Sequence, residues 1–136
     1  MAAKTTSLAN SVLDRVLKNN AQFAYTFPAT VYLALFTTDP TIAGIITGEV
    51  VPTSSDYARQ PVTWGTISSG SVQNSLAVTY SIAAGSWGSI GWCGIMDIVT
   101  LGTGTMLYQG ALAVPKIVGI GDQVSFAISA VVVNET

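Results

Sequence analysis

The feature of this sequence that most constrains its fold is residues 30–37, which read TVYLALFT. In a β-strand, successive side chains point to opposite faces, and here both faces are apolar. One face carries Val31, Leu33 and Leu35, and the other carries Tyr32, Ala34 and Phe36. β-branched and aromatic residues favour the extended backbone, and prolines bound the run on both sides. We therefore predict a central strand that is covered on both faces, with the rest of the sheet laid around it.

Later segments of the chain alternate as strands with one buried face do. Over residues 72–82 the predicted inward positions are Val72, Leu76, Val78, Tyr80 and Ile82. Over residues 123–133 the corresponding positions are Val124, Phe126, Ile128 and Val132. Residues 90–98 place Ile90, Trp92, Met96 and Ile98 on one side. The glycines at positions 91 and 94 interrupt that segment, which indicates bulges or close approach of the backbone.

Three further extended segments are predicted at residues 57–64, 105–112 and 115–121, and Pro61 assigns the first to an edge or a bulge. Seven or eight strands separated by glycine and proline, after a single helix, predict a mainly β fold. We expect an antiparallel, jelly-roll-like β-sandwich over residues 29–133. With 136 residues, the chain has the length of one domain, and we assign residues 1–136 to it.

Residues 7–20 carry the helical pattern of the chain, with Thr6 or Ser7 as the candidate cap at its start. The apolar residues at helical spacing are Leu8, Val12, Leu13, Val16 and Leu17. Two interpretations are open. The helix packs on its own sheet, or it is an arm that docks on a neighbouring subunit.

A long connection, residues 38–56, follows the central strand. Connections of this length in compact domains are usually functional or disordered, and this one contains Ile42, Ile45 and Ile46. Apolar residues are unusual at the tip of a solvated loop. They either fold back over the sheet or contact a partner.

Charged residues make up only 9% of the chain, against about 25% in an ordinary soluble domain. Such a surface is covered by uncharged polar groups or by other chains. The net charge is −2 and the five basic residues are scattered, which argues against nucleic acid and against a membrane surface as partners. No apolar stretch of membrane-spanning length occurs, and we expect a protein made in the cytoplasm.

The residues that usually perform catalysis are sparse. The chain has no histidine, and its single cysteine, Cys93, lies in an apolar segment where a structural thiol is expected. The seven carboxylates are scattered, and Asp39, Asp97 and Asp122 occupy turn positions. Arg59 is expected to pair with Asp56 or another carboxylate. We predict no catalytic residue, no cofactor and no metal site.

Tryptophan allows one alternative to this prediction. The chain has three, Trp64, Trp87 and Trp92. They are expected in the core, although together they could form a platform on which a sugar stacks.

Several short blocks, taken in order, carry a family resemblance. They are LDRVLKN at 13–19, ATVYLALFTTDPT at 29–41, YARQPVTW at 57–64, GWCGIMD at 91–97, MLYQGAL at 106–112 and GDQVSFA at 121–127. This series resembles a family of small tailed-bacteriophage virion proteins that are often labelled tail fibre proteins. Similar small β domains serve as capsid cement or decoration proteins. The resemblance implies a structural part of a virion, with no catalytic residues.

On this basis we predict a non-enzymatic cement protein that binds the outer surface of the capsid. A short tail fibre or tail-tip protein that binds a host-surface carbohydrate or receptor is the alternative. The preference for the head rests on the absence of coiled-coil heptads or repeats that would build a long shaft. The expected partners are the chain itself, as a homotrimer, and the major capsid protein or other virion proteins. The predicted partner interface consists of Leu8, Val12, Val16, Ile42, Ile45 and Ile46.

Overall fold

The computed structural model of the chain describes residues 3–18, 25–51 and 56–135. Within these residues the chain forms one α-helix, α1 (Thr6–Leu13), which continues into a π-helical turn over Asp14–Lys18. The strands are β1 (Ala3–Lys4), β2 (Tyr32–Phe36), β3 (Gln60–Pro61), β4 (Ser71–Gln73), β5 (Val78–Thr79), β6 (Gly88–Met96), β7 (Met106–Val118), β8 (Ser125–Phe126) and β9 (Val132–Asn134).

The strands form one larger sheet and two ribbons, and every pairing between them is antiparallel. The larger sheet has the order β1-β7-β6-β2-β3, and the ribbons are β4-β9 and β5-β8. The prediction of a mainly β, antiparallel protein with one N-terminal helix is confirmed. The jelly-roll connectivity stays a prediction.

Strand β2 is covered on both faces, as its composition predicts. Leu33 and Leu35 belong to the main core, Ala34 and Phe36 belong to a second core, and all four side chains are fully buried. The central position was predicted wrongly, because β6 lies at the middle of the five-stranded sheet and β2 lies beside it. Strand β3 supplies only two residues at the edge next to β2, which agrees with the edge assignment of Pro61.

The main core is built around three aromatic rings. The Tyr57 and Tyr80 rings are stacked with their centroids 5.9 Å apart, and Trp87 meets Tyr57 edge-to-face at 5.4 Å. Such pairs contribute about 0.5–1.5 kcal/mol each beyond the area that they bury. Val78 of β5 and Phe126 of β8 pack against the same cluster, so this ribbon forms a second layer over one face of the sheet.

The other face of the sheet carries a smaller core of Ala34, Phe36, Met96 and Met106, against which Ile46 and Trp92 pack. Gly94 lies beneath it. A Cβ added at Gly94 would stand 2.8 Å from Met106 Cε and 3.2 Å from a Phe36 ring carbon. The close approach predicted for this glycine is therefore confirmed. The pairing of β6 with β7 also shifts register between Ile90 and Trp92, which confirms the bulge predicted at the other glycine.

Two long strands that alternation predicted are each divided by the same side chain. Asn74 is fully buried. Its Nδ2 donates to the carbonyl oxygens of Leu76 and Ala127 at 2.8 and 2.9 Å, and its Oδ1 accepts from Val131 N–H at 2.9 Å. Because a side chain takes the place of ladder partners on both segments, residues 72–82 divide into β4 and β5, and residues 123–133 divide into β8 and β9.

The interruption changes which residues face the core. The inward placement of Val78 and Tyr80 is confirmed, with 2% and 1% exposure. The inward placement of Leu76, Ile82 and Ile128 was wrong, because each is 59% exposed. In the last segment the buried positions are Val131 and Val133, since the turn after β8 moves the alternation by one residue.

Strand β7 joins two segments that were predicted separately. It runs for 13 residues, and Pro115 lies inside it. Pairing with β6 breaks between Ala111 and Lys116, and β1 covers the other edge of β7 only at Tyr108 and Gln109. Proline is tolerated there because an edge or bulged position needs no N–H donor.

Candidate interaction surface

A buried pair of opposite charges, Glu49 and Arg59, is the first candidate for a chemical site. Arg59 Nη2 lies 2.6 Å from Glu49 Oε2, and Arg59 Nε donates to Glu49 Oε1 at 2.7 Å. Arg59 Nη1 donates to the carbonyl oxygens of Ile98 and Thr103 at 2.8 and 3.0 Å. Relative exposures of 6% for Glu49 and 1% for Arg59 put both charges out of reach of a dissolved substrate.

Tyr57 indicates the structural role of this pair. Its hydroxyl accepts a hydrogen bond from Leu35 N–H at 2.9 Å and donates to Glu49 Oε1 at 3.2 Å. On the same edge of β2, Val50 N–H donates to the Leu35 carbonyl oxygen. Burial, and then the nearby Glu49 charge, raise the pKa of Tyr57 well above its usual value, which keeps the hydroxyl protonated. The cluster therefore satisfies the open edge of β2 and anchors the long loop.

Arg59 thus has a carboxylate partner, as predicted, and of the alternatives left open that partner is Glu49. Asp56 instead accepts a hydrogen bond from Ala84 N–H. The contact between Arg59 and Glu49 is bidentate and charge-assisted, and such contacts are among the stronger hydrogen-bonding arrangements in proteins.

Each of the three carboxylates that were assigned to turn positions accepts a hydrogen bond from a nearby backbone N–H group. Asp39 Oδ1 accepts from Thr41 N–H at 2.8 Å, Asp97 Oδ1 accepts from Thr105 N–H at 2.7 Å, and Asp122 Oδ2 accepts from Gly119 N–H at 2.8 Å. Within the described ranges, no three metal-ligating side chains lie close enough together to hold an ion.

The thiol of Cys93 lies in β6 beside the main core. Burial raises its pKa from 9.0 to about 11. The thiolate is the nucleophilic form of cysteine, so the raised pKa argues against a nucleophilic role for this thiol at neutral pH.

The three tryptophans lie in different places and form no common platform. Trp87 is a core residue with 4% exposure. Trp92 packs on the smaller core, and Trp64 packs at the margin of the main core. Of the three, Trp64 alone lines the apolar cleft described below.

The helix has an unusual orientation. Thr5, one residue before the predicted caps, caps α1: its side chain accepts from Leu8 N–H. Its hydroxyl also donates to the Met106 carbonyl oxygen at 2.6 Å, which fixes the helix start on β7. Leu8, Ser11 and Asp14 form the buried side of the helical segment. The predicted end at residues 19–20 lies outside the described residues.

The apolar residues in the second half of this helical segment face outward. Leu13, Val16 and Leu17 are 55%, 72% and 74% exposed, and Val12 is half-buried. A helix on the surface of a domain normally turns its apolar stripe toward the core. Here a carboxylate is buried and that stripe is exposed. We call Leu13, Val16 and Leu17 the helix ridge.

The isoleucines of the long loop were predicted either to fold back over the sheet or to contact a partner, and the structure contains both arrangements. Ile46 folds back onto the smaller core, whereas Ile42 and Ile45 are 60% and 49% exposed. The Ile42 carbonyl oxygen accepts from Thr6 N–H at 2.9 Å, so the loop tip lies against the start of α1. Of the six residues predicted to contact a partner, Val16, Ile42 and Ile45 are exposed, and Leu8 is buried within the chain.

An apolar cleft of about 330 Å³ opens between the five-stranded sheet and the β4-β9 ribbon. Its walls include Trp64, Ile67, Val72, Ile95 and Val133. We call it the ribbon cleft. The sequence did not reveal it, because alternation predicted Val132 inward at the end of the chain, whereas Val131 and Val133 are the buried positions there.

Charged groups lie at the margin of the ribbon cleft. Glu135 lines it, Lys4 Nζ lies 2.6 Å from Glu135 Oε2, and the Tyr108 hydroxyl donates to Glu135 Oε1. The hydrogen bonds from Lys4 and Tyr108 lower the pKa of Glu135 below its usual value. Burial, and then Glu135, raise the pKa of Tyr108. The cleft therefore combines an apolar floor with a partly exposed carboxylate.

A small β domain with few charges, a sealed polar cluster and an exposed apolar helix has the features of a subunit in a larger assembly. The family model for podophage GP4 fiber I protein gp80 matches residues 3–134. The chain belongs to this family, and it is accordingly a structural protein of a tailed-phage virion.

No curated protein sequence matches the chain. Among the described residues, no helix is both long and apolar enough to cross a membrane.

Proposed function

We propose that this chain is a non-enzymatic module of the podophage tail fibre apparatus, mounted on other virion chains through exposed apolar surface. The observation that carries the proposal is the match of a fibre-protein family model to residues 3–134. The helix ridge and the exposed Ile42 and Ile45 side chains support the mounting role, because apolar surface of this kind is typical of protein contacts.

A structural rather than enzymatic role is supported by the polar chemistry of the chain. The Glu49–Arg59 pair is sealed from solvent, and burial raises the pKa of the Cys93 thiol to about 11. Both groups are explained by folding alone. We extend the proposal to a homotrimer. Sedimentation velocity of the purified protein should then show a trimeric species.

Capsid cement is the second candidate, and one observation favours it. The helical segment of the described chain is only 13 residues long, from Thr6 to Lys18, which corresponds to about 20 Å. A compact domain without a shaft suits a clamp between neighbouring capsid subunits, where many copies each contribute a modest contact.

Particles assembled without this chain distinguish the two candidates. The fibre proposal expects heads that resist heat and osmotic shock normally, together with a loss of adsorption to the host. Supplying the wild-type chain in trans is the matched control and should restore adsorption. Fragile heads on particles that adsorb normally would overturn the fibre proposal in favour of cement.

A further inference from the structure

The helix ridge requires a partner that the described chain does not supply. Leu13 ends α1, and Val16 and Leu17 lie in the π-helical turn that follows it. Exposed apolar side chains of a helix are the anchors with which amphipathic helices bind apolar grooves. The exposures of these three residues, 55–74%, place them outside the cleft of their own chain. The helix start, meanwhile, is fixed on β7 through Thr5, so the helix that carries the ridge is attached to the sheet at its N-terminal end.

The ribbon cleft is a concave apolar surface, whereas the helix ridge is a projecting one. Its volume of about 330 Å³ is at the lower end of the range for binding pockets. Its walls are almost entirely apolar, and Ile67, at 75% exposure, forms part of its mouth. The cleft can therefore hold a few aliphatic side chains, which is what one turn of the ridge presents.

The charges of the two regions are complementary. Residues 6–18 carry two cations and one carboxylate, a formal net charge of +1, and the rest of the sequence carries three cations and six carboxylates, a net charge of −3. Arg15 and Lys18 flank the ridge and are exposed. Glu135 at the cleft has a side chain that is 45% exposed. An approaching second copy therefore meets its cationic helix with an anionic body, which favours encounter in this orientation.

We propose that the helix ridge of one copy inserts into the ribbon cleft of the next copy, which makes the contact between subunits head-to-tail. The two surfaces in such a contact differ, so the interface is heterologous and generates a closed ring or a filament. A ring of three copies would produce the homotrimer. This inference rests on the proposed role as an assembling virion module and names the contact that builds the assembly.

Two substitutions at exposed positions test the contact. Leu17→Asp places a charge on the helix ridge, and Ile67→Asp places a charge at the cleft mouth. Both residues are at least 74% exposed, so folding should be unaffected. Each variant alone should weaken self-association about 100-fold, the effect expected of a central anchor residue. Ile82→Asp, at an apolar position of 59% exposure outside the cleft lining, is the matched control and should associate like the wild type.

The decisive measurement is sedimentation velocity of an equimolar mixture of the two monomeric variants. Each copy then has one intact surface, so the mixture should form heterodimers that stop at two chains. Arg15→Glu should weaken wild-type association several-fold, and added salt should weaken it as well.

Three outcomes would overturn the contact. They are a wild-type protein that stays monomeric, an Ile67→Asp variant that associates normally, and a mixture that yields no heterodimer. None of them would change the fibre assignment, because that assignment is read from adsorption of whole particles. A wild-type monomer that binds a different virion chain through the ridge would likewise overturn self-association.

Discussion

Two of the buried polar centres in the described chain, the Glu49–Arg59 pair and Asn74, stabilise the fold in different ways. The Glu49–Arg59 pair is charged and joins the long loop to the edge of β2 and to the turn after β6. Asn74 is neutral and satisfies three backbone groups by itself. A buried ion pair gains little over apolar residues of similar size, but losing one partner leaves an uncompensated charge. The charged centre is therefore the more sensitive of the two to single substitutions.

The largest effect is expected for Arg59→Met. This change leaves the Glu49 carboxylate buried without its cation and should lower the free energy of unfolding by about 3–5 kcal/mol, measured by urea denaturation. The double variant Glu49→Leu/Arg59→Met is the matched control and should recover most of the loss. A single variant within about 1 kcal/mol of wild type would mean that the pair behaves as a surface contact.

Asn74→Ala should have the next largest effect. Two carbonyl groups and one N–H group lose their partner, and unsatisfied buried groups cost about 1–3 kcal/mol each. Partial solvation of the turns should limit the total to about 3 kcal/mol. Ser75→Ala at the neighbouring exposed position is the control and should change stability little. Equal stabilities for the two variants would contradict the role assigned to Asn74 in dividing the strands.

Tyr57→Phe tests the link between the charged centre and β2. Removing the hydroxyl deprives Leu35 N–H of its acceptor and Glu49 of a donor, and the expected loss is about 2 kcal/mol. Tyr80→Phe removes a donor to the Leu33 carbonyl oxygen and should cost less, because a carbonyl tolerates the loss of one partner better than an N–H group does. The reverse order in chemical denaturation would show that the edge of β2 is satisfied in another way.

The smallest effect is expected at the exposed Lys4–Glu135 pair. Its side chains are 32% and 45% exposed, so Lys4→Met should cost only about 0–1 kcal/mol at neutral pH. The pKa of Glu135 is lowered in the folded protein. The contribution of the pair is therefore present at neutral pH and is lost as the pH falls through that lowered pKa.

Urea denaturation at neutral and acidic pH measures how the contribution of this pair to the free energy of unfolding depends on pH. The difference between wild type and Lys4→Met should shrink as the pH falls. A difference that grows toward acidic pH would contradict the sign of the pKa shift.

Local pattern predicted most of the secondary structure and failed where one side chain acts across the chain. The two apolar faces of β2 and the glycine at position 94 were recognisable because strand period and glycine chemistry are local properties. The division of two long strands at Asn74 was not, since that residue bonds Ala127 and Val131, which lie more than 50 positions away. Alternation places position 74 on the inward side with Val72 and Leu76, but it does not reveal that the Asn74 side chain bonds backbone groups of a distant segment.

The candidate interaction surface likewise has features that the local sequence pattern predicted and features that it did not. Hydrophobic periodicity identified the apolar residues of the helix, because their spacing follows from 3.6 residues per turn. Which side of that helix faces the core depends on contacts with β7 and the long loop, which place Leu8 and Ser11 inward and leave Val16 exposed. The ribbon cleft likewise depends on β9 pairing with β4 some 60 positions away in the chain. The residues of a helix or strand define its faces, but the free energy of packing against distant segments selects the face that is buried.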